Sequence, residues 1–112
     1  MTDFVAFARN IVEHFKSGEF AAINRLLTDQ LAQALPPETL KAQWEQLITY
    51  LGAFKEVADT DHIQLDGTDV VALLLQFEQA QWILRVHVRD GVVVGMHTFP
   101  PASSRPQGEV QK

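Results

Sequence analysis

The sequence predicts an α+β domain: three N-terminal helices packed on a curved antiparallel sheet of about four strands. Three observations predict it. Apolar residues recur at helical spacing as far as Leu51, they alternate with period two from Val70 onward, and Asp-Gly pairs at Asp66-Gly67 and Asp90-Gly91 supply turns between strands.

Phe4, Phe7, Ala8, Ile11, Val12 and Phe15 make the stripe of a first helix, with Thr2 or Asp3 as N-cap and Gly18 as the stop. Phe20, Ile23, Leu26 and Leu27 repeat the pattern in a shorter second helix, and Thr28 to Leu35 reads either as a further turn of helix or as a loop. Pro36-Pro37-Glu38 opens a third helix, because proline is tolerated in the first turn and an early glutamate suits the helix dipole. Leu40, Trp44, Leu47, Ile48 and Leu51 form its stripe, and Gly52 ends it.

A first strand is expected over Phe54 to Leu65, where Val57, Ile63 and Leu65 share one parity and Phe54 has the other. A bulge or a bend would reconcile them. In the next strand Val71, Leu73, Leu75 and Phe77 face the core, followed in the third by Trp82, Leu84, Val86 and Val88. A two-residue turn at Gln79-Ala80 sets Phe77 opposite Trp82, Leu75 opposite Leu84, Leu73 opposite Val86 and Val71 opposite Val88. A two-residue turn at Asp90-Gly91 sets Arg89 opposite Val92. Val93, Gly95, His97 and Phe99 then face inward, and Val92, Val94, Met96 and Thr98 join Arg85 and His87 on the outer face. A three-residue turn with a bulge would exchange those two sets.

With 112 residues and 46% hydrophobic composition, the chain fits one domain with a single core, assigned to residues 1–100. Residues 101–112, rich in proline, serine and glycine, are expected to be a disordered tail. Fourteen acidic against nine basic residues give a net charge of -5, which disfavours nucleic acid and anionic membranes as partners. No cysteine is present, so thiolate chemistry is excluded and a reducing compartment is compatible. Met1-Thr2-Asp3-Phe4 does not begin a basic segment followed by an apolar run, and no stretch of about 18 apolar residues occurs. A soluble cytoplasmic protein is the expectation.

Gly18-Glu19-Phe20, Leu35-Pro36-Pro37-Glu38 with Trp44, Leu51-Gly52-Ala53-Phe54 and the final Asp90-Gly91 hairpin, in this order of elements, resemble a bacterial domain family of the nuclear-transport-factor-2-like superfamily, of the SnoaL and ketosteroid isomerase kind. The resemblance covers roughly residues 3 to 100. It implies a cone-shaped, cystatin-like fold, often dimeric, whose sheet wraps a cavity between itself and the helices. Cyclases, isomerases, dehydratases and non-catalytic binding or assembly modules share that superfamily, so the fold alone does not fix an activity. A ketosteroid-isomerase-like site would combine a tyrosine with two carboxylates, whereas the single tyrosine here, Tyr50, lies on a helix.

Within such a cavity, His97 is a candidate general base and Asp61 a candidate orienting carboxylate. Trp44, Tyr50, Phe77, Trp82, His97 and Phe99 are the candidate pocket residues, although core packing alone accounts for Trp44 and Phe77. Asp59, Asp61 and His62 match no established metal-ligand spacing, and neither a metal nor a cofactor is expected. His14 reads as exposed, and phosphate-loop, serine-nucleophile and paired-histidine zinc motifs do not occur. Arg85, His87 and Arg89 form a basic row bordered by Leu74, Ile83, Val92, Val94 and Met96, an apolar outer patch of the kind that marks a protein interface. The leading expectation is a non-catalytic homodimer joined through that face, binding a small, largely apolar ligand or a protein partner. The alternatives are a small cyclase, isomerase or dehydratase working through His97, and a structural appendage in a larger assembly.

Overall fold

A computed structural model describes residues 3–101, in which four helices precede four strands. The Asp3 carboxylate accepts the Ala6 amide at 3.0 Å and starts α1 (Phe4–Ser17), which stops at Gly18. After α2 (Phe20–Asn24), the segment that could be helix or loop is a helix, α3 (Asp29–Ala34), capped by the Thr28 hydroxyl. Asn24 holds it in place by donating its side-chain amide to the carbonyls of Ala32 and Leu35 at 3.0 and 2.9 Å. α4 (Pro37–Leu51) begins with proline in its first turn and ends at Gly52.

Strands β1 (Phe54–Leu65), β2 (Thr68–Phe77), β3 (Gln81–Arg89) and β4 (Val92–Phe99) follow as an antiparallel meander in sequence order. The helices cover one face of this curved sheet, so the α+β architecture is the expected one. Ile11, Val12, Ile23 and Leu40 from the helices are buried against Val71, Leu73, Leu75, Phe77, Leu84, Val86 and Val88. Of the expected tail only Pro101 is described, and residues 102–112 lie outside the described part.

Three details of register depart from the simple alternation, each for a local reason, and of these the bulging of β1 is as expected. Trp82 lies opposite Leu75, not Phe77, and Leu84 lies opposite Leu73. This two-residue offset leaves every side chain on its expected face. Its cause is the corner after α4: the Glu78 and Gln79 amides donate to the carbonyls of Ala53 and Leu51 at 2.9 and 2.8 Å, so the hairpin closes at Gln76 and Gln81. In β1, bulges between Phe54 and Glu56 and between Val57 and Asp59 turn both Phe54 and Val57 toward the core. Ile63 and Leu65 are thereby left exposed.

The third difference decides the site. Asp90 and Gly91 take φ of 54° and 78° and set Arg89 opposite Val92, as expected of that pair. A bulge then intervenes, because Val88 pairs with Val93 while His87 pairs with Gly95, leaving Val94 unpaired. Val93 is fixed inward from outside the sheet: its amide donates to Leu26 at 2.9 Å and its carbonyl accepts from Thr28 at 3.0 Å. Beyond the bulge Met96 and Thr98 oppose the inward residues Val86 and Leu84, and His97 and Phe99 oppose Arg85 and Ile83 on the outer face.

Candidate functional site

Between α4 and the inner face of β2, β3 and β4 lies a cavity of about 690 Å³. Phe15, Trp44, Leu47, Leu75, Trp82, Leu84 and Met96 supply its apolar walls. Gln43, Gln46, Thr49, Tyr50 and Thr98, all exposed, form a neutral polar rim, and no charged side chain lines it among the described residues. Trp44 anchors the wall, its ring 5.1 Å from Phe15 in a stacked pair and 5.9 Å from both Phe54 and Phe77. The Trp82 indole N–H is buried with no hydrogen-bond partner among the described residues.

Trp44, Tyr50 and Trp82 therefore line the cavity, and three other expected pocket residues do not. Phe77 is fully buried in the core behind Trp44. His97 and Phe99 are turned outward by the β4 bulge, where Phe99 carries the Arg85 guanidinium 5.0 Å above its ring. Met96, expected on the interface, is inside. Sequence reasoning missed Met96 and Thr98 for the same reason, and it missed Gln43, Gln46 and Thr49 because only the apolar residues of α4 were read. The spacing of Gln43, Leu47 and Tyr50, four and three residues apart on one helix face, is the signal that finds this rim.

Asp61 and His97 do not meet. Both lie on the outer face, in the row Asp61, Ala72, Arg85, His97, with β2 and β3 between them. Three strand spacings separate their strands by about 14 Å, far outside hydrogen-bond reach. His62 is the inward residue of that run: its Nε2 lies 2.9 Å from the buried Asp69 carboxylate, and its ring lies 5.5 Å from that of Phe4. No group of three or more His, Asp or Glu among the described residues could hold a metal ion. His14, half-buried, sits 2.9 Å from the Glu19 carboxylate.

Across the outer face, Leu74, Ile83, Val92 and Phe99 are half-buried among Arg85, His87 and His97. The His87 and His97 rings meet edge to face at 5.5 Å. Burial, the Arg85 charge and the neighbouring His97 together lower the pKa of His87 below 6.5.

Fold and site together define an α+β domain with an apolar cavity held between helices and a meander sheet. The chain belongs to a protein family of unknown function, DUF3887, whose family model matches residues 8–96. That span includes every cavity-lining residue except Thr98. No curated protein and no solved structure matches the chain. No helix among the described residues is long and apolar enough to cross a membrane.

Proposed function

We propose that this chain is a non-catalytic, homodimeric domain of the nuclear-transport-factor-2-like superfamily, working in the cytoplasm, that takes up a small, largely apolar ligand beneath α4. The observation that carries the reading is the cavity of about 690 Å³ with apolar walls and an uncharged rim. Such a site rewards burial of apolar surface and offers neutral hydrogen-bonding groups to orient it. The helices followed by a wrapping meander support the superfamily, and the apolar patch around Leu74, Ile83 and Phe99 supports the dimer. The separation of His97 from Asp61, and of both from the cavity, favours binding over catalysis.

The two tryptophans of the chain, Trp44 and Trp82, both line the cavity and make it self-reporting. Titration with the neutral probe N-phenyl-1-naphthylamine is expected to quench their emission saturably. Thr98→Phe, which narrows the mouth, is expected to weaken binding by roughly tenfold, equivalent to about 1.4 kcal/mol. Native mass spectrometry of the purified protein supplies the subunit count and any retained small molecule. Absence of both saturable quenching and retained mass would overturn the ligand reading, and a monomer would overturn the dimer.

A further inference from the structure

The outer face of the sheet is ordered in rows that run across all four strands. Two of them read Asp61, Ala72, Arg85, His97 and Asp59, Leu74, Ile83, Phe99. Polar groups are segregated along them, with carboxylates on β1, the Arg85 guanidinium on β3 and the His97 imidazole on β4, and Ala72 and Leu74 between. A groove of about 300 Å³ reaches from Asp59 and Asp61 on β1 across Ala72 and Leu74 to Ile83 on β3, and Pro101 also lines it. On the basic side the Arg85 guanidinium leans toward Phe99, 5.0 Å from its ring centre. It thus lies within the square of Ile83, Arg85, His97 and Phe99.

Two such faces can be brought together about a twofold axis lying along the strands, between β2 and β3. That operation lays β1 of one copy over β4 of the other and β2 over β3, so each row meets itself reversed. Asp61 then faces His97 of the second copy, Leu74 faces Ile83, and Arg85, the bulkiest residue of its row, faces Ala72, the smallest. The square that holds the guanidinium falls on the square of Asp59, Asp61, Ala72 and Leu74, which is the β1–β2 end of the groove. Sheets packed face to face sit about 10 Å apart, a gap that an arginine opposite an alanine can span. The other in-plane twofold, across the strands, lays β1 over β1 and β3 over β3, which sets the acidic strand against its own copy and keeps Arg85 away from the carboxylates.

We propose that the outer face is a self-complementary dimer surface in which Arg85 of each copy enters the acidic groove between Asp59 and Asp61 of the other. The pairing rests on the homodimer reading above and adds its geometry. Both charge signs on one face, in reversed order about a common line, fit a second copy of this chain. Arginine is suited to the role, since its planar fork meets carboxylates with paired hydrogen bonds and is more weakly hydrated than an ammonium group.

The test is a charge exchange between subunits. Asp61 and Arg85 are both exposed, so Asp61→Arg and Arg85→Asp are expected to keep the wild-type fold, read as an unchanged far-UV circular dichroism spectrum. Each variant alone sets like charges against each other twice per dimer and is expected to weaken dimerisation by about tenfold or more. Mixed one to one, the two variants regain opposite charges at both contacts, and native mass spectrometry should show a heterodimer at close to wild-type affinity. If the wild type is a dimer and both single variants dimerise equally well, or if mixing recovers nothing, the pairing is overturned while the homodimer stands. A wild-type monomer overturns both, leaving the groove to a different occupant.

Discussion

His87 loses most from the crowding on β3 and β4. Its Nε2 is buried with no hydrogen-bond partner among the described residues, and Arg85 and His97 add positive charge beside it. With its folded-state pKa below 6.5, the unfolded chain binds the proton more readily than the folded one. Stability is therefore unaffected by this group above 6.5 and declines as pH falls from there through the folded-state value. Urea midpoints measured across that window should fall less steeply for His87→Gln than for wild type. The same neighbourhood shows why the histidines were hard to place from sequence. Val92, Val93 and Val94 are all apolar, so β4 begins without the alternation that marks an inward face. What selects Val93 is its bonding to Leu26 and Thr28, residues that no local pattern links to it. Trp44 and Trp82 were legible because each sits in a stripe with an unambiguous period.

At the scale of elements, the corner from α4 into β1 sets the geometry of its neighbours. Glu78 reaches back to it, its carboxylate accepting the Ala53 amide at 2.9 Å and its own amide donating to the Ala53 carbonyl. Gly52 permits the approach: its φ is 88°, and a Cβ there would lie 2.7 Å from that of Glu78. Gly52→Ala is expected to cost about 1–3 kcal/mol through backbone strain and displacement of Glu78. In a domain of this size each kcal/mol lowers the melting temperature by about 4–8 °C, which calorimetry reads directly. The helices and strands themselves were legible, because periods of 3.6 and 2 are written in the apolar residues. The register of β2 on β3 was not, since Glu78 and Gln79 are committed to the α4 corner and the hairpin lengthens around them.

For the whole molecule, the fold class followed from the order of two periodicities along the chain. The cavity did not, because it is the space left between α4 and the sheet, and an empty volume has no residue pattern of its own. Its apolar walls were inferable only in part, as residues with more apolar surface than the core consumes. Homodimerisation makes a prediction at the same scale: mass action couples folding to association, so the melting temperature should rise as protein concentration increases from about 1 to 100 μM. A monomer undergoing reversible two-state unfolding would show no such dependence.

The bridge between Leu27 and Val93 has a consequence for biosynthesis. β1, β2 and β3 can pair as soon as they emerge from the ribosome, since each meets its neighbour in sequence. The bridge joins residues more than half the chain apart, and the strand that completes it also brings Met96 and Thr98 to the pocket. A nascent chain therefore holds a half-built sheet, with Leu84 and Val86 not yet matched, until β4 has emerged. That interval is when the protein is most exposed to aggregation and to capture by chaperones.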